Sequence, residues 1–200
     1  MTDEPSENGV SAVSEERQEL NREIRNCTKC PLYENRTQAV PNQGSEDSEV
    51  MFAGKMVGYP DDQVGLPYQG QAGKTIDYVL EKNGLTRDDV YLTNLTRCYP
   101  PESRNPTSEE LDRCMQYFER ELSIVDPDYI VALGRLTAQR LLGRDVSVNE
   151  SHGEMFGYRT LTFQAEVLVT YNVGAVQYDR SKRTIILEDV SPVLEEVSPG

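Results

Sequence analysis

Apolar residues along this chain follow two patterns, short continuous runs and runs with helical spacing. Continuous runs predict buried strands over residues 49–54, 90–93 and 129–133, with two or three shorter strands between residues 147 and 170. Helical spacing predicts helices over residues 14–25, 73–83, 107–125, 134–142 and 179–197. Ser14 and Thr107 are the expected N-caps. The segment 58–73, rich in Gly and Pro, is expected to be a loop.

The alternation of strands and helices predicts an α/β fold, with a central, mostly parallel sheet and helices on both faces. The chain is long enough for one sizeable core, so we expect a single domain over residues 14–197. An acidic segment over residues 1–13 is expected to be disordered. Ligands bind such sheets at the carboxyl ends of the strands. The loops after Gly54, Thr93 and Thr170 are therefore the expected places for chemistry.

Charge and hydropathy restrict the partners. The net charge is −14, from 34 acidic and 20 basic residues, which argues against a generic polyanion binder because phosphate binding depends on Lys and Arg. An acidic, lysine-poor composition is typical of proteins that stay soluble in concentrated salt. A halophilic protein is one hypothesis, and an ordinary acidic protein is the other. We find no apolar run that could span a membrane and no signal segment, so we expect a cytoplasmic protein.

The cysteines are the first candidate site. There are four, Cys27, Cys30, Cys98 and Cys114, and the first two form a Cys-Thr-Lys-Cys turn. A pair on a turn, closed by ligands from two later elements, is typical of a metal centre. The spacing favours structural zinc or a cubane iron–sulfur cluster, and disulfides are the alternative.

With the loops placed, the chain resembles the iron–sulfur uracil-DNA glycosylases, the thermophile-type family 4, over about residues 22–190. The similar segments are Gly65-Leu-Pro-Tyr-Gln-Gly-Gln-Ala-Gly-Lys74, Tyr91-Leu-Thr-Asn-Leu-Thr-Arg-Cys-Tyr-Pro-Pro101, Ser103-Arg-Asn-Pro-Thr107 and Ile130-Val-Ala-Leu-Gly-Arg135. The resemblance implies a three-layer α/β/α sandwich with a central, mostly parallel four-stranded sheet. It implies a protein that flips uracil or a modified base from DNA and hydrolyses the N-glycosidic bond in base-excision repair. It also implies a 4Fe-4S cluster on the four cysteines, with zinc less favoured.

The resemblance also implies roles for individual residues. Tyr68, where the family usually has Phe, would stack on the flipped base. Asn94 would read the base edge, because its amide offers both a donor and an acceptor. Gly54 and Gly58 would form part of the base site. The alternatives are that Tyr68 packs on the core and that Asn94 bonds its own turn.

Contacts to DNA phosphates are expected on two elements. The amides of residues 70–74, at a helix N-terminus, would bind one phosphate. The cations expected in or near the binding loops are Lys74, Arg97, Arg104, Arg135, Arg180, Lys182 and Arg183. For residues 180–183 the alternative is a solvated helix face.

Two motifs depart from the family pattern. The family's Gly-Glu-Ala-Pro-Gly is replaced by Gly54-Lys-Met-Val-Gly58, and its His-Pro after a Thr-Tyr strand end is replaced within Thr170-Tyr-Asn-Val-Gly174. Lys55 and Asn172 therefore occupy the candidate catalytic positions. A neutral Asn172 stabilises negative charge on the leaving base less well than imidazole, at a cost of about a hundredfold in rate. His152 lies in another loop and is expected on the surface.

Three functions remain open on the sequence. In the first, the protein is a glycosylase with a shifted substrate or mechanism, in which Lys55 supplies positive charge or acts as a nucleophile. In the second, the fold and cluster persist without catalysis, and the protein senses damaged bases beside repair or replication proteins. In the third, it is an acidic metal-bound interaction module without DNA. We expect a monomer.

Overall fold

One sheet organises the molecule, whose computed structural model describes residues 13–197. Its strands are β1 Gln43–Gly44, β2 Val50–Met56, β3 Tyr91–Thr96, β4 Tyr129–Leu133, β5 Met155–Arg159 and β6 Gln164–Thr170. They lie in the order β1-β3-β2-β4-β6-β5. The inner strands β3, β2, β4 and β6 are parallel, whereas β1 and β5 pair antiparallel at the two edges.

The structure confirms the α/β class but has a wider sheet than expected. The predicted four-stranded sheet corresponds to the inner strands, and the two edge strands make six. Strand β1 has only two residues, which is too short for a periodic signal. Strand β5 alternates exposed and half-buried residues, so it lacks a continuous apolar run. The expected disordered segment 1–13 lies outside the described residues except for its last residue.

Helices cover both faces of the sheet. They are α1 Glu15–Arg25, α2 Tyr59–Val64, α3 Gly70–Lys82, α4 Ser108–Val125, α5 Arg135–Leu142, α6 Val148–Ser151 and α7 Ser181–Leu194. The predicted N-caps are confirmed: Ser14 Oγ accepts from the Arg17 N–H at 3.1 Å, and Thr107 forms a capping box with Glu110. No helix among residues 13–197 is long and apolar enough to cross a membrane.

Helix α2 lies inside the segment that the sequence predicts to be a loop. It has six residues, too few for helical periodicity to show. Its first turn is held by the buried Asp61, whose Oδ2 accepts the N–H of Gly58 at 3.0 Å. A side chain, rather than an apolar stripe, therefore stabilises this helix.

Two apolar layers enclose the sheet. In β2, Val50 and Phe52 pack with residues of α3 and α7, whereas Met51 and Ala53 pack with residues of α4 and α5. Successive side chains of a strand point to opposite faces, so one buried strand contributes to both layers. The chain passes from β2 to β3 on one side and then crosses to β4 on the other side of β2. This switch point opens a crevice at the carboxyl ends of β2 and β4.

Candidate functional site

Three predicted base-site residues meet at the carboxyl ends of β2 and β3. Gly54 and Asn94 are register partners in the two parallel strands. A Cβ placed on Gly54 would lie 2.4 Å from Asn94 Oδ1 and 2.6 Å from Tyr68 Oη. Only glycine at position 54 leaves room for both the Asn94 amide and the Tyr68 hydroxyl.

Tyr68 is fixed against the core. It is 4% exposed, and its hydroxyl donates to the Thr93 carbonyl at 2.7 Å. Its backbone φ of 54° lies in the left-handed region, which is uncommon for a side chain of this size. Arg87 Nη2 binds the Tyr68 carbonyl at 2.8 Å, and Asp61 Oδ1 accepts the next amide, Gln69 N–H, at 2.7 Å. Burial holds the pKa of the Tyr68 hydroxyl well above its usual range.

Asn94 is the most informative residue of this group. The residue is 3% exposed, and among residues 13–197 its side-chain amide has no hydrogen-bond partner. The fully buried unpaired polar atoms there are Glu49 Oε2, Tyr91 Oη and Arg97 Nε, so the unpaired amide of Asn94 keeps some contact with solvent at the strand ends. An amide left in this way is suited to a ligand that presents one donor and one acceptor. The alternative, in which Asn94 bonds its own turn, is not what the structure has.

The two candidate catalytic residues line a neighbouring cavity. Lys55, Asn105, Gly134 and Asn172 contribute to a space of about 350 Å³ at the switch point. Lys55 Nζ donates to Asn105 Oδ1 at 2.6 Å, and burial lowers the pKa of the Lys55 ammonium. Asn172 Oδ1 accepts the Gly174 N–H at 2.8 Å, so part of its amide already holds the following turn.

The predicted phosphate-binding cations divide into two groups. Arg180, Lys182 and Arg183 form no ion pair within the described part of the chain, and Arg180 and Arg183 line a cavity of about 400 Å³ beside Gln71 of α3. Lys74, also unpaired there, follows on the same helix. Lys182 and Arg183 lie over the rings of Tyr171 and Tyr78, at 3.7 and 4.3 Å from the ring centroids. No ion pair within the described residues neutralises the cations of α3 and α7, so their charge remains available to an anion.

The other expected cations are engaged by the protein itself. Arg104 binds both carboxylate oxygens of Glu110, at 2.7 and 2.8 Å, and Arg135 pairs with Asp145 at 3.0 Å. Arg97 is 1% exposed and pairs with Glu121 at 2.6 Å. The expectation that Arg97 faces a binding loop is therefore wrong: a side chain buried in an ion pair cannot reach a phosphate.

The cysteines lie together in a separate apolar cluster. None of the four forms a disulfide. Cys98 and Cys114 are 4% and 6% exposed, within a cluster that includes Leu20, Ile24 and Tyr117, and Cys27 and Cys30 pack at its edge. Burial raises the pKa of the Cys114 thiol to about 12.

Donors near the sulfur atoms test which metal centre fits. Arg36 Nη1 donates to Cys98 Sγ at 3.1 Å, and the Lys29 N–H lies 3.5 Å from Cys27 Sγ. Among residues 13–197, no group of three or more His, Cys, Asp or Glu side chains is arranged to hold a metal ion. Four thiols with N–H donors on the sulfurs suit an iron–sulfur cluster, and zinc binds the same ligand set.

His152 is less exposed than the sequence predicts. Its Nδ1 lies 3.0 Å from Asp189 Oδ1, and Asp189 Oδ2 accepts from Thr170 Oγ1 at 2.6 Å. The side chain is half-buried and ties the loop after α6 to α7. It does not line the cavity of Lys55 and Asn172.

Sequence reasoning missed residues that act through tertiary contacts. Asp61 and Arg87 hold the backbone around Tyr68, and Asn105 pairs with Lys55. Tyr59, which is exposed, and Tyr99, which is half-buried, form an aromatic pair beyond the base site.

The local signals for α2 are Gly58 at its N-cap, Pro60 in its first turn and Gly65 at its C-cap. Nothing near Arg87 or Asn105 in the sequence indicates their partners.

Fold and site together define an open α/β protein with a polar ligand pocket at the carboxyl ends of parallel strands. The model of the uracil DNA glycosylase superfamily matches residues 41–191. The type-4 uracil-DNA glycosylase of Archaeoglobus fulgidus is 36% identical over 161 residues, covering 78% of this chain and 81% of the relative. The chain belongs to the uracil DNA glycosylase superfamily.

Other relatives support the same placement. The type-4 uracil-DNA glycosylase of Pyrobaculum aerophilum is 36% identical over 163 residues, covering 80% of this chain and 83% of the relative. The type-5 uracil-DNA glycosylase of Thermus thermophilus is 30% identical over 167 residues, covering 74% and 76%. The family resemblance predicted from the motifs is thus confirmed.

Proposed function

We propose that this uracil-DNA glycosylase-like protein binds DNA, receives a flipped uracil or modified pyrimidine and hydrolyses its N-glycosidic bond in base-excision repair. The observation that carries the proposal is the buried amide of Asn94, which has no partner among the described residues and lies against Gly54. A base in a duplex is stacked and paired, so it must leave the helix to reach this amide.

Base reading follows from the chemistry of the amide. The Asn94 amide donates to uracil O4 and accepts from uracil N3–H. Tyr68 packs in the core cluster of α3 and α7, and its hydroxyl is already used by the Thr93 carbonyl, so only the edge of its ring would form a wall of the base site. The aromatic ring would pack against the base, and the Asn94 amide would select the base by hydrogen bonding to its edge.

Bond cleavage would depend on how the cavity beside Lys55 stabilises the leaving base. Negative charge develops on the base as its bond to the sugar breaks, and water completes the hydrolysis. Asn172 and Lys55 both line this cavity, and they offer an amide N–H and an ammonium group. A fixed positive charge in a half-buried cavity compensates in part for the absent imidazole.

DNA phosphates would bind the unpaired cations of α3 and α7. Lys74, Arg180, Lys182 and Arg183 serve this role, together with the first amides of α3. The total charge of −14 does not prevent this, because local charge decides where a phosphate binds.

We place the protein in the cytoplasm, acting as a monomer.

The cysteines Cys27, Cys30, Cys98 and Cys114 would hold a 4Fe-4S cluster. When bound, the cluster supplies iron–thiolate bonds that join the turn after α1, the end of β3 and helix α4. Arg36 and the Lys29 amide would tune the sulfurs by hydrogen bonding. The role assigned to these residues is to fix the loop after β3 that contains Asn105.

One observation favours a second function. The Asn172 oxygen is occupied by the Gly174 N–H, and a lysine stands at the acidic position of the family motif. A protein with these features would bind a damaged base without releasing it, as a sensor for repair or replication proteins. Superfamily membership counts against the third hypothesis, an interaction module without DNA.

The test is an excision assay beside a binding assay, on oligonucleotides that contain uracil, hypoxanthine or a modified pyrimidine. The glycosylase function predicts base release from the uracil oligonucleotide and its loss in Asn94→Ala. Tight, uracil-dependent binding without release would favour the sensor. Equal affinity for uracil and thymine oligonucleotides, with no release, would overturn both.

A further inference from the structure

Two tyrosines lie just beyond the base site, Tyr59 at the start of α2 and Tyr99 in the loop after β3. Gly54 pairs with Asn94 and Met56 with Thr96 in the register of β2 and β3. Tyr59 lies five residues after Gly54, and Tyr99 lies five residues after Asn94. Both rings therefore lie at the carboxyl edge of the sheet, where the flipped base would enter.

The two rings contact each other edge to face. Their centroids are 5.8 Å apart, and their planes meet at 68°. Tyr99 is half-buried, and its hydroxyl lies 2.8 Å from Ser103 Oγ, which fixes the ring. Tyr59 is 59% exposed, so the core does not account for its position.

A fixed, exposed aromatic ring next to a base site is suited to a nucleobase. Every base has a π-face, and stacking on an aromatic side chain is a common way to bind single strands. The positive charge of Lys55, on the strand that leads to Tyr59, complements the nearby backbone phosphates. In a duplex, the neighbouring bases remain stacked and paired, so they cannot use this ring.

We propose that Tyr59, supported by Tyr99, stacks an unpaired base next to the flipped nucleotide, and that the protein therefore prefers single-stranded DNA. This preference rests on the proposed function, because it assumes that a base occupies the Asn94 site. It adds a second base contact and specifies the strand state of the substrate.

The test compares a uracil-containing single strand with the matching duplex, by fluorescence anisotropy. Tyr59→Ala should lower the affinity for the single strand about tenfold and change duplex affinity by less than about twofold. Tyr59→Phe keeps the ring and should bind like the unaltered protein. Leu161→Ala, at an exposed apolar residue in the β5–β6 turn at the opposite edge of the sheet, is the control.

A second readout does not depend on affinity. The chain contains no tryptophan, so Tyr59→Trp introduces a single reporter. Its fluorescence should be quenched by the single strand and much less by the duplex, whereas Leu161→Trp should respond to neither.

The outcomes distinguish a failure of the stacking role of Tyr59 from a failure of the proposed function. Uracil-dependent binding with the same loss in both strand states for Tyr59→Ala, or with no loss, would overturn the stacking role and leave the proposed function intact. Absence of uracil-dependent binding in the unaltered protein would overturn both.

Discussion

At the residue scale, recognition depends on the amide of Asn94. The motif identified this residue from the sequence, since it follows the strand predicted over residues 90–93 and stands within the segment shared with the family; in the structure the strand continues to Thr96. The sequence did not show that the amide would be buried beside Gly54 without a partner. That property depends on the register of β2 with β3, which only the folded sheet defines.

Changing the amide to a carboxylate should change the base. Asn94→Asp removes the donor that uracil O4 requires and provides an acceptor for the amino group of cytosine. We expect uracil binding to weaken by about 1–3 kcal/mol and cytosine binding to improve. Dissociation constants for single-stranded oligonucleotides with one uracil or one cytosine measure this. Asn83→Asp, at the end of α3, is the control, and an equal loss for both bases would contradict the assigned role.

The half-buried position of Lys55 predicts how the free energy of unfolding depends on pH. Burial lowers the pKa of Lys55 in the folded protein. The unfolded chain therefore holds this proton more tightly, and the contribution of Lys55 to stability rises with pH between the folded and unfolded pKa values. Below that interval the cost of burying the ammonium is fully present, and above it the cost is relieved.

Lys55→Gln should therefore raise the urea midpoint at low and neutral pH, with a gain that shrinks in alkaline buffer. Unfolding curves at several pH values measure the effect, with Lys74→Gln as the control at an exposed lysine. A gain that is independent of pH, or one that Lys74→Gln reproduces, would contradict the half-buried position of Lys55.

At the element scale, the segment between β2 and α3 positions the aromatic wall of the site. Asp61 accepts the N–H groups of Gly58 and Gln69, so one carboxylate joins the end of the first motif to the backbone beside Tyr68. The sequence predicts a loop here, because six helical residues with a proline show no apolar period.

Asp61→Asn tests this connection. An amide has only one acceptor oxygen, so one of the two backbone N–H groups loses its partner. We expect a stability loss of about 1–3 kcal/mol and weaker binding of uracil oligonucleotides. Urea unfolding and anisotropy measure the two effects, with Asp88→Asn as an exposed control. Unchanged binding alongside lost stability would show that Asp61 does not position Tyr68.

Local and tertiary signals explain which elements were predicted. Helices α1 and α4 begin immediately after the expected N-caps, Ser14 and Thr107, because an N-cap is a contact within a few residues. Strand β5 lies within residues 147–170, where the sequence predicts two or three short strands, whereas the two-residue β1 depends on its pairing with β3 and is not revealed by neighbouring sequence. Contacts between residues far apart in sequence, such as Lys55 with Asn105, are likewise not revealed by neighbouring sequence.

At the scale of the whole molecule, the cysteine centre joins three distant parts of the chain. The sequence predicted that the four cysteines form one site, and the structure brings them into one cluster with Tyr117. The type of metal was not fixed by spacing, because zinc and iron–sulfur sites share similar cysteine patterns.

Purified protein should contain iron and inorganic sulfide, with little zinc, and should show a broad visible absorption. Cys114→Ser should lose the iron and lower the thermal midpoint, because α4 loses its link to the end of β3. Leu161→Ser, at a fully exposed residue in the β5–β6 turn outside the cysteine cluster, should keep both the iron and the midpoint. Stoichiometric zinc without sulfide would contradict the cluster.

The measurement that tests the central claim most directly is uracil release by Lys55→Glu with Asn172→His, compared with the unaltered protein and with the same double variant carrying Asn94→Ala. If the pocket receives a flipped uracil, the double variant should release it at least about a hundredfold faster than the unaltered protein. Adding Asn94→Ala should remove that gain. A folded double variant that neither releases uracil nor binds uracil-containing DNA in preference to thymine would contradict the account.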